Sequence, residues 1–284
     1  MSQRLGGLNE LSGRYKGILC DVWGVLHNGV AVYPEAADAL ARFRAAGGHV
    51  VMITNSPRPR DGVVEQLREL GVSEDVYDEV VTSGDVTRDL ITQTSGGVFH
   101  LGPERDLPLF AGLDFEIVPA EAAKSIVCSG LFDDESESPD DYVELLTTLV
   151  ERKLPFICAN PDIVVERGDR LIWCAGSLAK LYADLGGEVR IAGKPHPPIY
   201  ALASSVMNDV AGQIVDKSEL LAIGDGMPTD VAGAQAFGSS LLYISGGIHA
   251  REYGPTDAPD EKLLTEFLKA QNARPNYWLP RLSW

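Results

Sequence analysis

Gly17-Ile18-Leu19-Cys20-Asp21-Val22-Trp23-Gly24-Val25-Leu26-His27-Asn28-Gly29 carries a strand-length apolar run into a glycine-punctuated turn and leaves one carboxylate, Asp21, at the junction. An apolar run of four to eight residues that ends at a turn reads as a buried parallel strand. In open α/β sheets, ligands bind just beyond the carboxyl ends of such strands. Asp21 therefore stands where a reacting carboxylate would stand. An aspartate after a single strand is more often a turn cap, so the reading depends on what the rest of the chain places beside it.

Working outward, Pro34–Ala46 has Ala36, Ala39, Leu40 and Phe43 at helical spacing, Pro34 in the first turn and Gly47-Gly48 as a stop. His49–Ile53 is a second apolar strand, running into Thr54-Asn55-Ser56-Pro57-Arg58, and a helix through Val63, Val64, Leu67 and Leu70 follows. This β-α-β-α order predicts parallel strands with right-handed crossovers. From about Asp85 the character changes. Strands are expected at 98–101, 115–118, 125–128 and 155–158, with helices near 86–91 and 142–150 and an acidic, solvated loop over 133–141. Near Arg190 the first style returns. Gly193-Lys194-Pro195-His196 opens a helix, Leu220–Ile223 runs into Gly224-Asp225-Gly226-Met227-Pro228-Thr229-Asp230, a small-residue helix spans 231–237, and Leu241–Ile244 is another strand. Tyr277, Trp278 and Trp284 in the tail are expected to cover an apolar face. The fold class is thus α/β, a doubly wound parallel-sheet core in two parts (1–84 and 189–284) interrupted by an inserted α/β domain at 85–188.

The 284 residues are 45% hydrophobic and 23% charged, the composition of an ordinary globular protein. A formal charge of −17 argues against a nucleic-acid backbone or an anionic membrane as partner. It leaves room for a small phosphorylated ligand, because a bound cation reverses the sign locally. Cys20, Cys128, Cys158 and Cys174 show neither zinc-ligand spacing nor a Cys-x-x-Cys, and read as reduced core thiols. The first residues lack the apolar segment of a signal peptide, and no run of about 18 apolar residues occurs. A cytoplasmic protein is expected.

Four element ends now carry polar groups: Asp21, Thr54, Lys194 and the pair Asp225/Asp230. Singly each has a plain explanation, since Thr54-Asn55 could cap a helix, Lys194 could be a surface lysine and Asp225-Gly226 a turn. Together they have the makings of phosphoryl transfer. A carboxylate can take up a phosphoryl group. Attack by an anion on a dianion needs a cation, and Mg²⁺ favours one or two carboxylates, which Asp21 and Asp225 would supply. A lysine adds positive charge, and a threonine hydroxyl with backbone N–H groups at a helix start, here Thr54 with Asn55 and Ser56, fixes phosphate.

The ordered set Asp21-x-x-Gly24-Val25-Leu26, Ile53-Thr54-Asn55, Gly193-Lys194-Pro195 and Gly224-Asp225-Gly226-x-x-Thr229-Asp230 resembles the haloacid dehalogenase superfamily. The large insertion between the second and third motifs is similar to subfamily IIA, the branch with a big α/β cap that includes N-acetylglucosamine-phosphate phosphatase-like and p-nitrophenyl-phosphatase-like enzymes. Cys158-Ala159-Asn160-Pro161-Asp162 also resembles a cap motif that faces the substrate, which marks Asn160 and Asp162. The resemblance implies Asp21 as nucleophile and Mg²⁺ ligand, Thr54 and Lys194 as phosphate binders, Asp225 as a direct Mg²⁺ ligand and Asp230 as a supporting one.

One position departs from the pattern. The family's phosphatases carry a second aspartate two residues after the nucleophile, as general acid and base, and here that residue is Trp23. Its backbone carbonyl can still serve as the Mg²⁺ ligand that the family takes from this position. The proton shuttle is missing, and such a group is worth about 10²–10⁴ in rate. Low activity, a leaving group that needs no proton, or substitution by His27 or His196 would each follow. The expected function is Mg²⁺-dependent hydrolysis of a small phosphorylated metabolite through an aspartyl-phosphate. The alternative is a non-catalytic phosphate-ligand binder, and dehalogenation is disfavoured by the acids Asp225 and Asp230. No nucleic acid and no membrane is expected as partner, and a homodimer is left open.

Overall fold

The computed structural model describes residues 2–168 and 170–284. The first part of the chain contains β1 (Gln3–Arg4), β2 (Gly17–Cys20), α1 (Pro34–Ala45), β3 (His49–Thr54), α2 (Arg60–Glu69), β4 (Glu79–Thr82) and α3 (Ser83–Thr92). The middle holds β5 (Val98–Leu101), β6 (Ser125–Cys128), α4 (Val143–Glu151), β7 (Phe156–Cys158), β8 (Val164–Arg167), β9 (Arg170–Trp173), α5 (Ala175–Asp184) and β10 (Val189–Ile191). The last part supplies α6 (Pro197–Ala211), β11 (Leu220–Gly224), α7 (Ala232–Phe237), β12 (Ser240–Ile244), α8 (Glu261–Ala270) and β13 (Tyr277–Leu279).

The two outer parts build one parallel sheet of seven strands, in the order β1-β13-β12-β11-β2-β3-β4. Its central strands are apolar on both faces because both faces are covered. Ile18 and Cys20 of β2 pack with Leu40, Phe43 and Leu67 of α1 and α2. Leu19 between them packs with Ile199, Ala203 and Met207 of α6 on the other side. Successive strands leave β2 in opposite directions, β3 to one side and β11 to the other, so the sheet's switch point lies beside Asp21. Register levels the ends. Cys20 stands opposite Met52 on one neighbour and Ile223 on the other, and the Asp21 N–H extends the ladder to the Ile223 carbonyl at 2.8 Å.

The middle part builds its own parallel sheet, β10-β7-β6-β5, and a separate antiparallel hairpin, β8-β9. The strand pairing differs from the expected boundaries at 84/85 and 188/189. Val189–Ile191 belongs to the inserted sheet through Phe156–Cys158. Helix α3 straddles the junction, with Val86 in the core layer and Ile91 in the insert's layer. The strand expected over 115–118 is reduced to one bridge, Val98 with Ile117. Its alternation reflects an edge contact, and Phe115 packs on Phe110 rather than into a ladder. The tail aromatics do more than cover a face, since Tyr277 and Trp278 are inside the main sheet and buried. All four cysteines are buried and free. No helix among the described residues is long and apolar enough to cross a membrane.

Candidate active site

The ends of β2 and β11, the turn after β11 and the approach to α6 bring Asp21, Asp225, Asp230 and Lys194 into one buried cluster. Lys194 Nζ donates to Asp21 Oδ1 and to Asp230 Oδ1, each at 2.7 Å. Backbone amides hold the carboxylates: Val22 N–H reaches Asp21 Oδ1 at 2.8 Å, Ile248 N–H reaches Asp225 Oδ2 at 2.8 Å, and Gly226 N–H reaches Asp230 Oδ2 at 3.0 Å. Gly24 is required here twice over. Its φ is +83°, and a Cβ would collide with the Asp225 carboxylate.

Charge in this cluster is unbalanced. Burial and then the Asp230 charge push the Asp21 carboxyl well up, against the pull of Lys194. Burial and Asp230 also raise Asp225, to about 7. Burial works to lower Lys194, but Asp21 and Asp230 outweigh it and keep the ammonium protonated. Ionised together, the three acids would exceed the one ammonium by two negative charges; that repulsion helps to raise Asp21 and Asp225, and a divalent cation would relieve it. One ligand oxygen each from Asp21, Asp225 and Asp230 lie within 4.8 Å of one another. An all-oxygen donor set of this kind fits Mg²⁺.

Thr54 ends β3 beside this cluster and its Oγ1 accepts the Ser56 N–H at 3.2 Å. Asn55 does something the sequence did not reveal: it ties the core to the insert. Its Oδ1 accepts the Lys194 N–H at 2.7 Å, and its Nδ2 donates to Asp162 Oδ1 at 2.9 Å and to the Lys194 carbonyl at 3.4 Å. Asn160 Oδ1 accepts the Asp162 N–H at 3.1 Å, which shapes the loop after β7. The Trp23 indole donates to the Glu166 carbonyl of β8 at 2.5 Å, packs against Gly29, and meets the His27 ring edge-on at 5.0 Å. His27 is enclosed, its Nδ1 accepts the Gly29 N–H at 2.9 Å, and burial pushes its pKa down to about 4. It is held neutral, a poor donor of protons at pH 7. His196 is half-buried at the start of α6, and burial lowers it too.

Two cavities of about 360 Å³ each meet at this point. The first holds Asp21, Asp225, Asp230, Lys194 and His196. The second lies between the core and the insert and is walled by Arg58, Arg105, Asp106, Asn160, Arg167 and Trp173. Most of this wall escaped the sequence reading. The acidic loop is also less solvated than expected: Asp134 pairs with Arg105 and, at 3.0 Å, with Arg167, while Glu135 pairs with Arg167 at 2.9 Å and Arg170 at 2.5 Å. These pairs link residues 29 to 35 positions apart, beyond any local signal.

This core, insert and cluster define the class, and the chain belongs to the haloacid dehalogenase-like hydrolase family. A family model described as haloacid dehalogenase-like hydrolase matches residues 18–116, and one described as HAD-hydrolase-like matches residues 191–270. A solved haloacid dehalogenase-like hydrolase from Brucella suis 1330 is 52% identical, with a TM-score of 0.88 over 99% of this chain and 100% of that one. An acid sugar phosphatase of Staphylococcus aureus is 25% identical over 245 residues, 84% of this chain and 90% of the relative. The p-nitrophenyl phosphatase of Archaeoglobus fulgidus shares the fold, at 23% identity and a TM-score of 0.70 over 94% and 96% of the two chains. The inserted α/β domain is accordingly the cap.

Proposed function

We propose that this protein is a Mg²⁺-dependent phosphatase of small, polar phosphate monoesters, of which sugar phosphates are the leading class. The observation that carries the reading is the buried set Asp21, Asp225, Asp230 and Lys194, whose three acids, once ionised, would need a divalent cation beside the one ammonium to be neutralised. The named activity of the acid sugar phosphatase relative supports the substrate class. Asp21, Asp225, Asp230 and the Trp23 carbonyl would hold the ion. Mg²⁺, when bound, shields the Asp21 carboxylate from the charge of the incoming phosphate.

This chain's residues then do the rest. Asp21 uses a carboxylate oxygen to attack phosphorus, and its link to Lys194 keeps it aimed. Lys194, protonated, draws charge from the phosphoryl oxygens. The Thr54 hydroxyl donates to the phosphate, with the Asn55 N–H beside it. The ester's organic part extends into the second cavity, where Arg58, Asn160 and their neighbours offer hydrogen bonds and Trp173 offers a flat apolar face. Water then opens the aspartyl-phosphate. Trp23 takes no part in proton transfer, because indole has one donor and no acceptor. The four unbridged thiols support a cytoplasmic location.

Phosphate release from p-nitrophenyl phosphate and from a panel of sugar phosphates, with and without Mg²⁺, tests the reading. Metal-dependent release that disappears in Asp21→Asn is the expected result. Thermal stabilisation by those esters without turnover would make the protein a binder instead.

A further inference from the structure

In the reaction above the bridging ester oxygen sits where the two cavities meet, with phosphorus on the Asp21 side and the organic group on the other. Among the described residues, Trp23, Thr54, Asp162 and Val165 line both cavities. Val165 has no polar side-chain atom, and the Trp23 N–H is engaged by the Glu166 carbonyl. Thr54 does not ionise near neutral pH, and its oxygen already accepts the Ser56 N–H. Asp162 is the one member of the four with a carboxyl, a group that donates a proton in one form and accepts one in the other. The histidines are placed worse: His27 reaches only the second cavity, while His196 and His249 reach only the first.

The carboxyl of Asp162 is also held in place. Asn55 Nδ2 donates to Oδ1 at 2.9 Å, and Asn55 is itself fixed on both sides of the Lys194 peptide. Oδ2 takes no hydrogen bond from any described residue. We propose that Asp162 is the acid–base catalyst of this phosphatase, in place of the carboxylate that Trp23 displaces. This rests on the phosphatase reading.

In the first step a bond forms from Asp21 oxygen to phosphorus and the bond from phosphorus to the bridging oxygen breaks. Its electron pair stays on the leaving oxygen, which takes the Asp162 proton. In the second step water oxygen bonds to phosphorus, the Asp21–phosphorus bond breaks back to a carboxylate, and the water's proton goes to Asp162. Ester and water become alcohol and phosphate, and both carboxyl groups return to their starting state.

The surroundings suit the task. Burial raises the Asp162 carboxyl above its ordinary range, while Lys194 and the Asn55 bond pull it down and the Asp230 charge adds a further rise. Asp225 and the thiols Cys158 and Cys174 are the other titratable groups facing it. Because Asp162 follows the cap strand β7 while Asp21 follows a core strand, the acid reaches the bridging oxygen only when cap and core are together. Proton transfer is thereby conditional on closure.

The test compares kcat/KM, with Mg²⁺, for p-nitrophenyl phosphate, phenyl phosphate and glycerol 2-phosphate in the wild type, Asp162→Asn and Asp162→Glu. We expect Asp162→Asn to lose about 10²–10⁴ on glycerol 2-phosphate, to lose much less on p-nitrophenyl phosphate, whose leaving group needs no proton, and to accumulate phosphorylated Asp21. Asp162→Glu should recover part of the alkyl activity. A uniform loss across leaving groups, or none, would overturn the assignment and leave the phosphatase standing. If Asp162→Asn does not fold, the wild type still decides: a steep fall of kcat/KM with rising leaving-group pKa overturns the assignment, and a shallow one supports it. Hydrolysis of none of the three esters by the wild type would overturn both readings.

Discussion

The two cavities that meet at Trp23 are built on different principles. In the first, the carboxylates extend from central strands or the turn beyond them, and each is tied to a backbone amide: Asp21 to Val22, Asp225 to Ile248 and Asp230 to Gly226. Position there is set by the register of β2 with β11, so it comes with the fold. In the second, long side chains from the 104–110 segment, the acidic loop and the β8-β9 hairpin hold one another by ion pairs, and Arg58 stands beside them on the wall. Their positions depend on loops meeting across the chain. In the proposed reaction, attack on phosphorus therefore sits on rigid ground, and recognition of the organic group sits on parts that sequence change can alter without touching the core.

Variants in the two cavities should therefore behave differently, and the largest effect belongs to the first. Asp225→Ala should weaken Mg²⁺ binding, read by calorimetry, by at least about tenfold, with an unchanged circular dichroism spectrum. Unchanged affinity would move the ion away from the strand ends. His27 sharpens the comparison through pH. Its folded pKa near 4 lies below the ordinary 6.5, so the unfolded chain takes up the proton first and stability falls as pH drops through that window. Between pH 7.5 and pH 5 the wild type should lose about 2 kcal/mol more than His27→Gln, by denaturant titration. Equal losses would mean that His27 is not held neutral.

Asp134→Ala takes away the shared partner of Arg105 and Arg167. A cost of about 1–2 kcal/mol is expected, between exposed and buried pairs, with KM for glycerol 2-phosphate raised and kcat on p-nitrophenyl phosphate nearly kept. A matching collapse of kcat would tie the recognition wall to the chemistry more closely than the geometry does. Trp23→Phe should have the smallest effect. Losing one hydrogen bond to the Glu166 carbonyl costs about 1 kcal/mol, seen as a roughly fivefold rise in KM as the cap docks less well.

The same contrast decided what could be read from the sequence. Asp21, Thr54 and Asp225 each end an apolar run, and Lys194 and Asp230 lie in short motifs beside such ends, so local pattern located them all. The doubly wound core followed from the same runs. Val189–Ile191 escaped because three residues around a charged Arg190 carry no period, and only pairing with Phe156–Cys158 makes them a strand. The β8-β9 hairpin has one buried side chain in its second strand, Ile172, and gave no alternation to follow. Arg105, Asp134 and Arg167 were invisible as a group, because nothing in the local sequence joins residues so far apart. His27 looked like an acid from its place near Asp21, and only its enclosure and the Gly29 N–H on Nδ1 show otherwise.

The central claim is that Asp21 carries the phosphoryl group. Acid-quenching the protein during turnover of p-nitrophenyl phosphate with Mg²⁺, followed by peptide mass spectrometry, tests it directly. The account predicts a phosphoryl adduct on the peptide containing Asp21, absent without Mg²⁺ and absent in Asp21→Asn. Steady hydrolysis with no adduct at Asp21, and with undiminished rate in Asp21→Asn, would contradict it.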